Sequence, residues 1–273
     1  MLSSSVFAAC GLMIAIGLLG PTALAVFWLL KKKERVSTVL VGAATWFVFA
    51  IVLESIPKAI LLNPANSIGK TITESVALYS ILGALTAGIF EETGRLLAFR
   101  FVLKKRTNKE TGMSHGIGHG GFEAAFILVL TGFQNISYAV IINAGQLQEI
   151  IDEVANAGVD TSALEALPEQ LAALTPAYAL MSAGERIFAI LLHITLSIMV
   201  FYGVRKKKII FYIFAILLHA LYDLPAALYQ TGTIDIYVTE VILAVFAVIS
   251  FGAVYKLLYC RYEESEESTV KPV

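Results

Sequence analysis

Charge is what this chain has least of. Asp, Glu, Lys and Arg make up 15% of 273 residues, while 58% are hydrophobic and mean hydropathy is +0.77. A soluble domain carries roughly 25% charge, so that class is excluded. The apolar residues fall in blocks, each near the roughly 20 residues that cross hydrocarbon. Cysteine is scarce too. Cys10 and Cys260 fall on opposite membrane sides in the topology below, so no disulfide framework exists. There is no repeat of solenoid period and no inverted repeat of the transporter kind. The absence of His-Glu-x-x-His excludes a zincin. The first apolar block lacks a basic n-region and is too long for a cleaved signal, so it is kept as a helix. Lipid is the expected environment, and no nucleic-acid partner is expected.

The blocks predict an all-α polytopic protein with seven spans, at about 6–30, 36–62, 76–103, 116–143, 185–204, 209–229 and 237–259. Residues 1–262 form a single transmembrane domain in this reading, and 263–273 an acidic cytoplasmic tail. Basic clusters follow alternate spans at Lys31-Lys32-Lys33, Lys104-Lys105-Arg106 and Arg205-Lys206-Lys207-Lys208, with Lys256 and Arg261 at the end of the last. Placing them in the cytoplasm leaves only Lys58, Lys70 and Arg186 outside, with Arg95 inside the membrane. The N-terminus is therefore expected outside and the C-terminus inside. The long connection at about 144–184 has no Lys or Arg. Its leucine and isoleucine spacing predicts two short amphipathic helices.

Against this background a few ionisable residues stand out. An ionisable side chain at the centre of a bilayer costs roughly 2.5–3.5 kcal/mol on insertion scales, which makes it a functional candidate. Glu91 and Glu92 lie 13 and 12 residues before Lys104, His193 lies 12 before Arg205, and His219 lies 11 after Lys208. At about 1.5 Å per residue these depths are about 17–20 Å, and that of Glu123 about 15 Å. Four spans thus deliver polar groups to one layer. Arg95 shares a helix face with Glu91 and Glu92. Two adjacent carboxylates cannot both ionise cheaply there, which suits activation of water by one and support by the other. His119 and Glu123 are one turn apart, as are His219 and Asp223. His193 has no polar partner in its own turn. Two His and one Glu would make the ligand set of a catalytic zinc with an open fourth position. His115 falls at the border of its span and reads as interfacial. Glu54 with Lys58, and Gln134 with Asn135, read as helix-packing groups.

The motifs Glu91-Glu92-Thr93-Gly94-Arg95, His119-Gly-Gly-Phe-Glu123 and His219-Ala-Leu-Tyr-Asp223, in this order, resemble the superfamily of type II CAAX prenyl endopeptidases. Glu123 at the end of the second motif is more similar to the PrsW branch. The Gly-His-Gly-Gly-x-Glu-Ala version looks most like the YhfC family of intramembrane metalloproteases. Arg95 is one residue closer to the Glu pair than in the CAAX enzymes, and His119 replaces an aromatic residue. His193, on the span before His219, makes the two similar to the paired histidines of the γ-secretase anterior-pharynx-defective subunit, a relative that looks non-catalytic.

The resemblance implies an endopeptidase of the bacterial cytoplasmic membrane that acts on a membrane-associated peptide. Glu91 or Glu92 would activate water, with Arg95 and Asp223 in support. Glu123, His193 and His219, with His119 as substitute, would hold a divalent metal such as Zn2+ or stabilise the oxyanion. A non-catalytic scaffold and a proton- or cation-coupled transporter remain alternatives, because buried Glu and His serve proton relays equally well.

The alternating basic clusters predict how the chain labels. In a background lacking Cys10 and Cys260, Gly158→Cys should react with an impermeant thiol reagent from outside the cell. Asn108→Cys and Lys207→Cys should not. Labelling of the latter two from outside would overturn the orientation.

Overall fold

The computed structural model describes residues 1–262, so the acidic tail at 263–273 lies outside the described residues. Each apolar block is a helix. In chain order they are α1 (Ser4–Lys32), α2 (Val36–Trp46), α3 (Ser55–Leu61), α4 (Ser67–Thr73), α5 (Val76–Leu97), α6 (Glu110–Asn143), α7 (Leu147–Asn156), α8 (Ser162–Ala172), α9 (Pro176–Arg205), α10 (Ile210–Gln230) and α11 (Ile236–Val254). Wider π-helical turns at Phe47–Leu53, Ala98–Val102 and Tyr255–Tyr259 extend α2, α5 and α11. No strand occurs among the described residues, and the fold is all-α. Six helical runs are long and apolar enough to span a membrane; Val76–Val102 makes a seventh when taken with α4, to which it is bent by 102°. Glu91, Glu92 and Arg95 lower the hydropathy of that run, which is why it is the least obvious span.

Local chemistry sets the helix ends. Asn66 caps α4 through the Gly69 amide at 2.7 Å, and Asp235 caps α11 through the amides of Tyr237 and Val238 at 2.8 and 3.1 Å. Pro57 has no N–H and crowds the carbonyl four residues back, Leu53, where the first π-helical stretch ends. The Arg205 guanidinium donates to the carbonyls of Phe99, Leu103 and Arg106 at 3.1, 2.7 and 2.8 Å, satisfying the frayed end beyond α5.

Two spans start earlier than the sequence suggests. α6 begins at Glu110 rather than near 116, and α9 at Pro176 rather than near 185. In α9 the adjacent Glu185 and Arg186 pair with each other, which lowers the cost of carrying both charges within the helix. The 144–184 connection holds the two expected short helices, α7 and α8, which bury Ile151 and Leu171 respectively.

The chain divides into two compact units. One combines Met1–Pro21 with Ala124–Arg186. Its core joins Ala9 and Met13 to Leu128 and Ala179, and Val6 and Cys10 to Ala139 and Leu171. The other combines Thr22–Glu123 with the chain from Ile187 onward. Its core is built on α9, where every residue from 192 to 201 is buried. Leu192, Leu196 and Val200 meet Phe99, Ala215, Tyr222 and Leu243 there. Glu54 and Lys58 pair at 2.6 Å at the end of the second span, with the Glu54 side chain buried.

Gly112, Gly116 and Gly120 repeat at a four-residue spacing along the start of α6 and face α9. Small residues at this spacing let backbones approach closely. A methyl group on Gly116 would sit 2.5 Å from the Ile194 Cα and 2.9 Å from the His193 carbonyl. The whole stretch from 111 to 121 is buried as a result. Gly116→Ala should therefore lower the unfolding temperature through overpacking of about 1–3 kcal/mol. Gly83→Ala, whose methyl meets nothing within 4 Å, should be neutral or gain about 0.5–1 kcal/mol. Equal behaviour of the two variants in thermal unfolding would refute the close α6–α9 approach.

Candidate functional site

All four histidines of the sequence, His115, His119, His193 and His219, are buried in the second unit. Their rings follow one another at centroid separations of 5.9, 4.9 and 5.5 Å. Four helices converge on them. α5 brings Glu91, Glu92 and Arg95, α6 brings His115, His119 and Glu123, α9 brings His193, and α10 brings His219 and Asp223.

Arg95 is fully buried and ties the cluster together. One terminal nitrogen pairs with Glu92 Oε1. The other lies 2.6 Å from His193 Nδ1 and 3.7 Å from Glu91 Oε2. Its Nε donates to Ser197 Oγ at 3.2 Å. A guanidinium only donates, so His193 Nδ1 accepts. His193 Nε2 then carries the proton and lies 2.5 Å from Glu123 Oε2.

Around Arg95 the polar groups fall into two sets. Glu91, His119, Glu123 and His193 each offer a ligand atom within 4.8 Å of the others. His119 Nε2 is 2.8 Å from Glu91 Oε2, and its buried Nδ1 has no hydrogen-bond partner. The second set is Glu92, His219 and Asp223. His219 Nδ1 lies 2.8 Å from Glu92 Oε1, and Nε2 lies 3.4 Å from Asp223 Oδ2. Glu92 Oε2 is buried and accepts no hydrogen bond. Thus His219, expected beside Glu123 and His193 as a ligand, sits with Glu92, and Glu91 takes its place in the four-residue set.

Those four residues fit a divalent ion. Two imidazoles and two carboxylates are a donor set zinc accepts, with bonds of about 2.0–2.2 Å. Tetrahedral ligands then stand roughly 3.3–3.6 Å apart, within the range of the four ligand atoms, whose contacts run from 2.5 and 2.8 Å to separations of no more than 4.8 Å. Charge points the same way. Glu91 and Glu92 both face the Arg95 guanidinium, while Glu123 and Asp223 lie against imidazoles, and carboxylates gathered in low dielectric favour a proton or a cation. The side chains of Glu123 and Asp223, 13% and 31% exposed, form the accessible edge of the cluster.

The interfacial reading of His115 is overturned. It is buried, 3.2 Å from Ser197 Oγ and 3.3 Å from Thr45 Oγ1, with its ring 4.6 Å from that of Phe99. The cause is the early start of α6, which places His115 within the helix rather than before it. Ser197 and Thr45 had not stood out. The available signals were the four-residue spacings His193–Ser197 and His115–His119–Glu123.

Removing one partner of a buried ion pair costs about 3–5 kcal/mol. Arg95→Met should lower thermal stability by that order, because it strands the Glu92 carboxylate. Adding Glu92→Gln should recover part of the loss. A further loss in the double variant would show that Glu92 is not the partner Arg95 serves.

A family model described as YhfC intramembrane metalloprotease matches residues 12–243. The chain is 39% identical over 238 residues to the uncharacterized membrane protein YhfC of Bacillus subtilis (strain 168), covering 86% of this chain and 90% of that protein. No solved structure matches the chain. The described spans and this match over most of the length agree: the chain is a multi-pass helical membrane protein that belongs to the YhfC family.

Proposed function

We propose that the protein is an intramembrane metalloprotease that hydrolyses a peptide bond of a membrane-associated peptide or protein. The observation that carries this reading is the juxtaposition of the four-residue donor set with Glu92, whose second oxygen is left open. Glu91, His119, Glu123 and His193 would hold the ion. A divalent ion held there would supply Lewis-acid polarisation of the scissile carbonyl.

The remaining roles fall to side chains. Arg95 and His219 both engage Glu92 Oε1 and so fix the carboxylate. Its Oε2 can accept a proton from the attacking water and return it to the leaving amine. Arg95 would release His193 Nδ1 on ion binding, since a neutral imidazole has one lone pair and cannot both accept from a guanidinium and ligate, and Asp223 steadies His219 at the accessible edge. The substrate must unwind locally, since a helical backbone satisfies its own carbonyls. The bacterial relative and the alternating basic clusters support placement in a bacterial cytoplasmic membrane with the N-terminus outside.

A non-catalytic scaffold is the second reading. It is favoured by the dense pairing of Arg95 with Glu92, His193 and Ser197. Metal binding and cleavage separate the two. Zinc or cobalt at a hundredfold excess over Kd should stabilise the purified protein by about 2.7 kcal/mol. His119→Ala and Glu123→Gln should remove that gain. Glu92→Gln should keep it, because the amide oxygen still accepts from Arg95 and His219, yet abolish cleavage of co-reconstituted membrane peptides. Stabilisation that persists in His119→Ala would place the ion elsewhere, and full cleavage by Glu92→Gln would remove Glu92 as the base.

A further inference from the structure

A cavity of about 440 Å³ lies between the end of α5 and the turn joining α9 to α10, away from the histidine cluster. Arg100, Lys207 and Lys208 line it, with Leu96 and Tyr212 among its walls and no carboxylate. None of the three cations forms an ion pair among the described residues. We propose that this cavity binds the phosphate of an anionic glycerophospholipid.

The charge is concentrated by shape as well as by number. Three cations around a concave space draw a phosphate more strongly than the same cations spread over an open face. α10 begins at the same place, with no side-chain cap and no acidic residue in its first turn. The partial positive charge of its first amides adds to that of the side chains. The flanks are apolar and outward-facing. Phe101 and Val102 beyond α5, and Ile209, Ile213 and Phe214 at the start of α10, are all exposed. A basic recess bordered by exposed apolar side chains suits a headgroup with its acyl chains, whereas a free phosphate would use only the recess. Tyr212 lines the cavity and its hydroxyl lies 2.8 Å from Thr93 Oγ1. An occupant therefore bears on the helix that carries the Glu pair.

Lys104 and Lys105 provide the comparison, because they end the same span but do not line the cavity. Native mass spectrometry of the full-length protein should show one phosphatidylglycerol retained in preference to phosphatidylcholine of the same chains. Lys207→Gln with Lys208→Gln should weaken that retention roughly fivefold for each cation removed. Lys104→Gln with Lys105→Gln should leave it nearly unchanged. Thermal unfolding of each variant in detergent reports whether the fold is kept, and Arg100→Gln alone repeats the test should the double variant misfold. Equal losses in the two double variants, or equal retention of the two lipids, would overturn the site. Displacement of the lipid by millimolar inorganic phosphate would overturn the lipid assignment in favour of a free-phosphate site.

Discussion

A guanidinium with no exposed surface, set among apolar helices, dictates how the rest of this structure is arranged. Arg95 cannot shed its charge, and burying it alone would be prohibitive. Its nitrogens must therefore be met by acceptors, and they are met by Glu92 from its own helix and by Ser197 and His193 from α9. Each partner is then constrained in turn. Glu92 holds His219, His193 faces Glu123, and Ser197 contacts His115. The cluster is a set of obligations that start from one cation. Loss of any member leaves another buried polar group unmatched.

Such a network forms only if the helices come close, and glycine allows this. Gly112, Gly116 and Gly120 let α6 lie against α9, and Gly88 lets α5 lie against the Ile216 carbonyl of α10. Both contacts bring backbone to backbone at the level of the histidines. The glycines that lower the intrinsic helix propensity of α6 are thus the residues through which it packs. In hydrocarbon, where apolar surface gains little from leaving lipid, close packing and polar contacts have to hold helices together.

Much of this is legible in the sequence, for a physical reason. The thickness of the hydrocarbon sets the length of each apolar block, so the span count and the all-α class follow from hydropathy. Basic anchors set depth, and depth placed Glu91, Glu92, Glu123, His193 and His219 in one layer; the structure gathers those residues. Depth is a single coordinate, however. Which way each side chain points around its helix axis depends on packing, so the sequence grouped His219 with Glu123 and His193, whereas the fold sets it against Glu92. His115 was misplaced for a related reason. Gly-rich sequence weakens any estimate of where a helix starts, and starting α6 at Glu110 takes His115 from the border to the interior. Ser197 is marked only by its four-residue spacing from His193, and Thr45 carries no signal, because single hydroxyls are common in spans, where they bond their own backbone, as Thr45 does to the Val41 carbonyl at 2.7 Å.

The division of the cluster into two sets traces back to the spacing within Glu91-Glu92-Thr93-Gly94-Arg95. Adjacent residues on a helix point about 100° apart, so Glu91 and Glu92 turn toward different neighbouring helices. Glu91 turns toward His119, and Glu92 toward His219. Arg95, four residues after one and three after the other, lies on the face between them and reaches both. A single-residue offset thereby sends one carboxylate to His119 and the other to His219, and the arginine holds the two at a fixed relation. Were the carboxylates one turn apart instead, they would face the same partner and compete for it. The adjacent pair followed by arginine is therefore the arrangement that lets one helix serve both halves of the site.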